Sequence, residues 1–196
     1  MIPALLLISA AYLCGSLPTG VWLGRRAGID VRRSGSGNIG ASNVARTAGV
    51  RPALLTLIGD VAKGLLPVLA ARALLHDPRA IAAVGVAAVC GHVWSVFLRF
   101  SGGKGVATGF GFFLALTPPA ALIAAVVFGV AARLTRYASV ASLLAALSLP
   151  AATAALGYER AYWVAALVVA AIIVARHRDN LRRLRSGREP QFRAKR

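Results

Sequence analysis

Apolar residues in this chain come in long uninterrupted blocks, roughly Ile2 to Leu23, Pro52 to Leu75, Ala80 to Leu98, Val106 to Leu134, Ala138 to Leu156 and Ala161 to Ala175. At about 1.5 Å of rise per residue, the first block alone is long enough to cross a hydrocarbon core about 30 Å thick. The pattern predicts membrane-spanning helices. Gly15, Ser16, Gly20 and Gly24 add small residues suited to close helix contact. Between the blocks lie three polar stretches of similar character: SGSGNIGASN at Ser34 to Asn43, SGGKG at Ser101 to Gly105, and RHRDNLRRL at Arg176 to Leu184.

Charge decides how the blocks are threaded. The segment after the first block carries Arg25, Arg26, Arg32, Arg33, Arg46 and Arg51 against Asp30 alone, so it is expected on the cytoplasmic side, with the N-terminus outside. The second block turns outside at His76 to Pro78, and the third returns inside to deliver Arg99 and SGGKG. The fourth block, read as one crossing, would put Arg133, Arg136 and the tail from Arg176 outside. That tail holds Arg176, Arg178, Arg182, Arg183, Arg185, Arg188, Arg193, Lys195 and Arg196, the most basic part of the chain. A break at Pro118 and Pro119, where proline disfavours a continuous helix, restores the parity. The expected fold is an all-α integral membrane protein with seven transmembrane helices, some short, the N-terminus outside and the C-terminus cytoplasmic. The short helix Val106 to Thr117 has 12 residues, about 18 Å, and such helices are tolerated where they are buried in protein or line a polar cavity. It should start at the active site. All cations but Lys63, Arg72, Arg79 and Arg160 then lie on the cytoplasmic side.

Composition agrees with this reading. In 196 residues, 58% are apolar and the mean hydropathy is +0.69, far above soluble averages. The excess of Lys and Arg, 23 against 6 acids, would otherwise raise nucleic-acid binding, but the charges punctuate apolar spans and build no amphipathic helix or aromatic-rich sheet. Nucleic acid is therefore not an expected partner. The segment MIPALLLISAAYLC has no basic start, which argues against a cleaved signal peptide, and Leu13 before Cys14 argues against lipoprotein processing. Cys14 and Cys90 both sit in apolar blocks and indicate no disulfide framework. Residues 1–196 read as one membrane-embedded domain with a basic cytoplasmic tail at about 177–196.

The polar stretches carry the chemistry. Gly-rich turns let backbone N–H groups converge on phosphate oxygens, and Arg32, Arg33 and Arg46 surround the first stretch. Gly35, Gly37 and Gly40 spell G-x-G-x-x-G, yet a dinucleotide site also needs a strand and a βαβ unit, which this chain lacks. Nor is GGKG a P-loop, because Gly105 follows Lys104 where Ser or Thr is required. What remains is backbone amides and a lysine presented to phosphate, with arginine as a bidentate clamp. No cluster of His, Cys and acids has metal-ligand spacing, so neither metal nor other cofactor is expected. His76, His92 and His177 also lack the His-x4-Asp pattern of acyl-CoA-dependent glycerolipid acyltransferases.

Three pairs carry a bland reading beside a functional one. Asp60 and Lys63, three apart, either brace the second span or place Lys63 under the anion site. His177 and Asn180 share a helical face at the end of the last span, as structural groups or as site groups. Ser139 and Ser142 are either helix-packing hydroxyls or ligands aimed into the same pocket.

Together, GSLPTG at Gly15, GIDVRR at Gly28, SGNIGASN at Ser36, DVAKG at Asp60, GHVWSVFLRFSGGKGVAT at Gly91, YASVAS at Tyr137 and RHRDNLRRLRSGRE at Arg176 resemble the bacterial membrane acyl-phosphate:glycerol-3-phosphate acyltransferases over nearly the whole chain. Ile39, Ser95 and Ser42 replace the Pro, Pro and Thr expected of that family. The resemblance implies transfer of a fatty acyl group from acyl-phosphate to the 1-hydroxyl of glycerol 3-phosphate, giving lysophosphatidic acid and phosphate, the first acylation of phospholipid synthesis. It implies a multi-pass protein of the bacterial cytoplasmic (inner) membrane whose site faces the cytoplasm, with membrane lipid around it and no obligate protein partner. By motif match, Ser36, Gly37, Asn38, Gly40, Ser42 and Asn43 hold the acyl-phosphate head group. Arg46, Gly102, Gly103, Lys104 and Ser139 complete the substrate contacts, and Lys104, Ser142, His177 and Asn180 are the catalytic set. The general base is either His177, whose pKa three nearby arginines would depress, or a substrate phosphate. A small anion or phospholipid transporter is the alternative, and it places the site near the bilayer midplane with access from both sides.

Overall fold

The computed structural model describes residues 2–191, so Arg193, Lys195 and Arg196 of the basic tail lie outside the described residues. The described chain is helical, with no strand among those residues. In order, the helices are α1 (Ile2–Ser16), α2 (Thr19–Arg26), α3 (Ala41–Thr47), α4 (Val50–Leu74), α5 (Pro78–Val93), α6 (Val106–Leu116), α7 (Pro118–Thr135), α8 (Ala138–Ala155), α9 (Arg160–Arg176) and α10 (Arg178–Arg185). A 3-10 turn at Val96–Leu98 follows α5.

Among the described residues, five helical segments are long and apolar enough to cross a membrane: Ile2–Arg26, Val50–Leu74, Pro78–Leu98, Pro118–Thr135 and Ala138–Ala155. Arg160–Arg176 joins them when taken with α10, from which it is bent by 52°, and Val106–Leu116 is a shorter apolar helix. These are the apolar segments expected from the sequence, and the break before Pro118 falls where the charge pattern required it.

Elsewhere the breaks differ from expectation. The first block is split after Ser16, because Pro18 has no N–H for the carbonyl of Cys14 and its ring would crowd that carbonyl. Pro67 and Pro150, in contrast, remain inside α4 and α8. The SGSGNIGASN stretch is also not all loop: its last residues, from Ala41, begin α3.

Small residues bring the helices together. At the crossing of α4 and α6, Gly64 lies on the Thr108 carbonyl and Gly111 on the Val61 carbonyl, so a methyl at either would collide with backbone. Gly15 and Gly91 do the same for α1 and α5, against Ala88 and Tyr12. The core above this frame is built from Val84, Val89, Phe112, Phe113, Ala166 and Val169, on α5, α6 and α9. Outward-facing leucines and isoleucines such as Leu5, Leu54, Ile58, Leu122 and Leu147 remain exposed, as expected of faces turned to lipid. The result is a helical frame whose polar segments lie at helix ends: before α3, before α6, at the start of α8 and after α9.

Candidate active site

Those four helix ends surround one cavity of about 340 Å³. Its polar end takes Ser36, Asn38, Gly40 and Ser42 from the first loop and the start of α3, then Arg46, Lys104, Ser139, Ser142, His177 and Asn180. Its other wall is apolar, formed by Phe110 and Phe113 of α6, Ala124 and Phe128 of α7, Ala146 and Leu149 of α8, and Val169 and Ile173 of α9. A ligand that fits has a charged head and a hydrocarbon tail.

The first loop is held by one side chain. Asn43, fully buried, accepts from the Ser36 N–H at 2.8 Å and donates to the carbonyls of Val31 at 2.9 Å, Ser34 at 3.1 Å and Asn38 at 2.8 Å. Its amide oxygen and both protons of its NH2, shared among the three carbonyls, are engaged in shaping the loop. Gly35 and Gly37 take φ of 61° and 71°, the left-handed region where a side chain is costly. Arg46, one turn along α3, reaches back to donate to Ser36 Oγ at 3.2 Å.

The second loop is held from outside. The N–H groups of Gly102 and Gly103 donate to the carbonyls of Val93 and His92, at 3.1 and 3.0 Å. Their own carbonyls accept from the Arg176 guanidinium, both at 3.3 Å. The expectation that Gly102 and Gly103 present amides to phosphate is therefore corrected: their amides are occupied, and neither residue lines the cavity. Gly37 is likewise outside the cavity, its N–H donating to the Ser34 carbonyl. Only Lys104 and Gly105 of the second loop face the site.

Lys104 Nζ donates to Asn180 Oδ1 at 2.7 Å, and Asn180 Nδ2 donates to Glu189 Oε1 at 2.6 Å. Arg183 Nε closes the chain on Glu189 Oε2 at 2.8 Å. Burial pushes the Lys104 ammonium down to about 8, with Glu189 opposing and Arg183 and Arg46 adding to the fall. Burial raises Glu189, but Asn180, the Ser139 hydroxyl and Arg183 together outweigh it and hold the carboxyl below its ordinary value. Glu189 was not singled out from the sequence. Its signal there is its place as the closing acid of the RHRDNLRRLRSGRE motif, whose Asn180 and Arg183 are its partners nine and six residues back.

His177 and Asn180 do not share a continuous helical face. The chain bends by 52° between α9 and α10, with His177 at the bend, and both side chains still reach the cavity. His177 Nδ1 lies 2.8 Å from the Ile173 carbonyl, which can only accept, so Nδ1 carries the proton and Nε2 is left as an acceptor. Burial, with Lys104 next in weight and no arginine contributing, lowers the imidazole to about 4. It is neutral at pH 7. Ser142 Oγ donates to the Ala138 carbonyl at 2.7 Å, whereas Ser139 Oγ is buried in the cavity wall facing the Glu189 carboxylate, without a full hydrogen bond among the described residues. Among the described residues, no group of His, Cys, Asp and Glu comes together in a way that would hold a metal ion.

A family model described as glycerol-3-phosphate acyltransferase matches residues 5–187. Curated proteins of that name from Geotalea daltonii and Trichlorobacter lovleyi are 47% and 48% identical. The first alignment covers 98% of this chain and 99% of the relative, the second 99% and 100%. Among solved structures, PlsY (YgiH), an integral membrane glycerol 3-phosphate acyltransferase crystallised in its glycerol 3-phosphate form, superposes with a TM-score of 0.93 at 38% identity, covering 97% of this chain and 96% of that one. Its lysophosphatidic acid form superposes at 0.91. A family match over most of the chain, relatives at high coverage and the shared helical frame agree: this chain belongs to the glycerol-3-phosphate acyltransferase family.

Proposed function

We propose that the protein transfers a fatty acyl group from acyl-phosphate to the 1-hydroxyl of glycerol 3-phosphate, releasing lysophosphatidic acid and inorganic phosphate. The observation that carries this reading is the two-sided cavity, in which a polar end with Lys104, Arg46 and Ser139 runs into an apolar wall of α6 to α9. An acyl donor must place a hydrocarbon tail and a phosphate in one site, and a small anion alone has no use for the tail wall. The solved relative's glycerol 3-phosphate and lysophosphatidic acid forms supply the acceptor and product chemistry.

The first loop, shaped by Asn43, takes the donor's phosphate through Ser36, Asn38, Gly40 and Ser42. Lys104, Arg46 and Ser139 hold glycerol 3-phosphate, and Ser142 lies beside them. The acceptor hydroxyl oxygen attacks the donor carbonyl carbon, the bond from that carbon to the phosphate oxygen breaks, and phosphate leaves. No acyl-enzyme is needed, since a mixed anhydride is already activated and the site contributes positioning and charge. Lys104 offsets charge gathering on the carbonyl oxygen and the leaving phosphate, while Asn180 and Glu189 fix its direction. A His177 imidazole held near 4 is a weaker proton acceptor than a substrate phosphate, whose second pKa is about 6. The phosphate therefore takes the hydroxyl proton, and His177 Nε2 orients the hydroxyl by accepting its hydrogen bond beforehand.

The distribution of arginines supports seven membrane segments, an outside N-terminus and a site on the cytoplasmic face of a bacterial inner membrane. Transport across the bilayer is less well supported, because the polar groups collect at helix ends on one side of the frame. The test is purified protein supplied with glycerol 3-phosphate and either acyl-phosphate or acyl-CoA, with acylated product and released phosphate measured together. Equal amounts of both from acyl-phosphate are expected. Product from acyl-CoA alone would overturn the donor assignment, and no acylated product from either would overturn the reaction.

A further inference from the structure

A second charged cluster lies at the floor of the same cavity, which Asp60 and His92 help to line, and takes no part in the chemistry above. Asp60 and Lys63 of α4 pair at 2.7 Å, and both are almost completely buried. Thr19 Oγ1, just past the break in the first span, donates to Asp60 Oδ1 at 2.5 Å. Lys63 Nζ donates to the Leu17 carbonyl at 2.8 Å and lies 3.2 Å from His92 Nδ1 on α5. An ammonium can only donate, so Nδ1 is the acceptor and the ring's proton sits on Nε2. Three elements thus meet on one buried ion pair: the broken end of α1 with the start of α2, the middle of α4, and the last turn of α5.

His92 is also where the second loop is attached. Gly103 donates its N–H to the His92 carbonyl, Gly102 donates to the neighbouring Val93 carbonyl, and the Gly103 Cα rests on the imidazole so closely that a methyl there would collide with Nε2. The imidazole is therefore the floor under the residue immediately before Lys104. Lys63 fixes the ring's rotation, and Asp60 and the Leu17 carbonyl fix Lys63. On the loop's other side Arg176 grips the Gly102 and Gly103 carbonyls, so the loop is clamped between α5 and α9.

We infer that Asp60, Lys63 and His92 form a positioning cluster that sets the height and direction of the SGGKG loop, and through it the place of the Lys104 ammonium in the cavity. This rests on the proposed role of Lys104 in holding glycerol 3-phosphate, but the loop geometry can be measured without activity. A buried ion pair is weak evidence of added stability and is more often neutral against an apolar replacement. Its retention here is explained by the direction it gives to its neighbours.

The test compares Asp60→Asn with the double variant Asp60→Asn/Lys63→Met. The single change leaves an unpaired buried ammonium and is expected to lower yield and thermal stability. The double change removes both charges and is expected to regain stability without regaining the hold on His92. Hydrogen exchange is then followed at the Gly102 and Gly103 amides, with those of Ala145 to Leu149 in α8 as the internal control, and glycerol 3-phosphate KM is measured beside kcat. In the double variant the two loop amides should exchange about tenfold faster or more while the α8 amides stay at wild-type rates. KM for glycerol 3-phosphate should rise about tenfold, more than kcat falls. A stable double variant with wild-type loop exchange and wild-type KM would overturn the inference and leave the pair a plain brace. If the double variant does not purify, His92→Leu, which keeps the backbone carbonyl and removes the ring, takes its place with the same two outcomes. Failure of acyl transfer in the wild type would count against the reaction alone, since loop exchange still reports on the cluster.

Discussion

The two glycine-rich loops of this protein look alike in sequence and are built on opposite plans. The loop around Ser36 is shaped from within, by one buried asparagine that ties together residues from Val31 to Asn38. The loop before Lys104 is shaped from without, its glycines bonded to the end of α5 on one side and to Arg176 on the other. A short string of Gly, Ser and a polar side chain therefore does not say how its shape is held. The first plan makes a loop that depends on one side chain, and the second makes a loop whose precision depends on two helices.

The contrast is open to direct attack. The largest effect is expected from Gly102→Ala, because the added methyl would meet the His92 carbonyl, which is backbone and cannot turn aside. Acyl transfer should fall about a thousandfold, as Lys104 is displaced from its electrostatic role, with the spectrum of a folded helical protein retained. Activity within a few-fold of wild type would show that the outer clamp does not set the loop. Next is Asn43→Ala, which deletes four hydrogen bonds at a fully buried position and should cost roughly 2–4 kcal/mol of stability. The rate should fall about a hundredfold, with the loss seen chiefly in donor KM; a thermal scan together with donor and acceptor KM values separates this from a general loss of fold.

The smallest effect concerns pH. Burial lowers Lys104 to about 8, so its charge is present below that value and disappears as the pH rises through it. Affinity for glycerol 3-phosphate should weaken by about tenfold per pH unit once the lysine is neutral. The stability contribution has the opposite sign. Charging a buried ammonium penalises the fold below about 8, and the penalty fades between there and the ordinary lysine value of 10.5, so the empty protein should not lose stability from this group over the range in which binding is lost. A KM profile flat from pH 7 to 9 would place the substrate phosphate away from Lys104.

What could be read from the sequence follows the same division between local and assembled structure. Membrane helices were legible because apolar blocks and flanking arginines are local properties, and the break at Pro118 because a proline pair coincided with a charge-parity conflict. Pro18 gave no such conflict. Its block remained long enough to cross whether or not the helix was continuous, so nothing in the sequence separated it from Pro67 and Pro150, which their helices accommodate. Ser36, Asn38, Arg46, Lys104, His177 and Asn180 were legible as polar groups in motif context, and the structure gathers them at one cavity. The part of Glu189 was not, because the turn at Ser186 and Gly187 that ends α10 folds it back onto Asn180 and Arg183, where Lys104 meets Asn180. The occupied amides of Gly102 and Gly103 were hidden for a similar reason: their acceptors are the last carbonyls of α5, left open where that helix unwinds at Trp94.

The placing of Glu189 also bears on the order in which the molecule is made. Asn180, Arg183 and Glu189 come after every apolar helix in the chain, yet they complete the hydrogen-bond path that aims Lys104. During synthesis, the first loop and the lysine emerge long before these partners. The site is thus closed by its last-made residues, so on the proposed role of Lys104 a chain still being threaded into the bilayer would have the cavity walls but not the aimed ammonium.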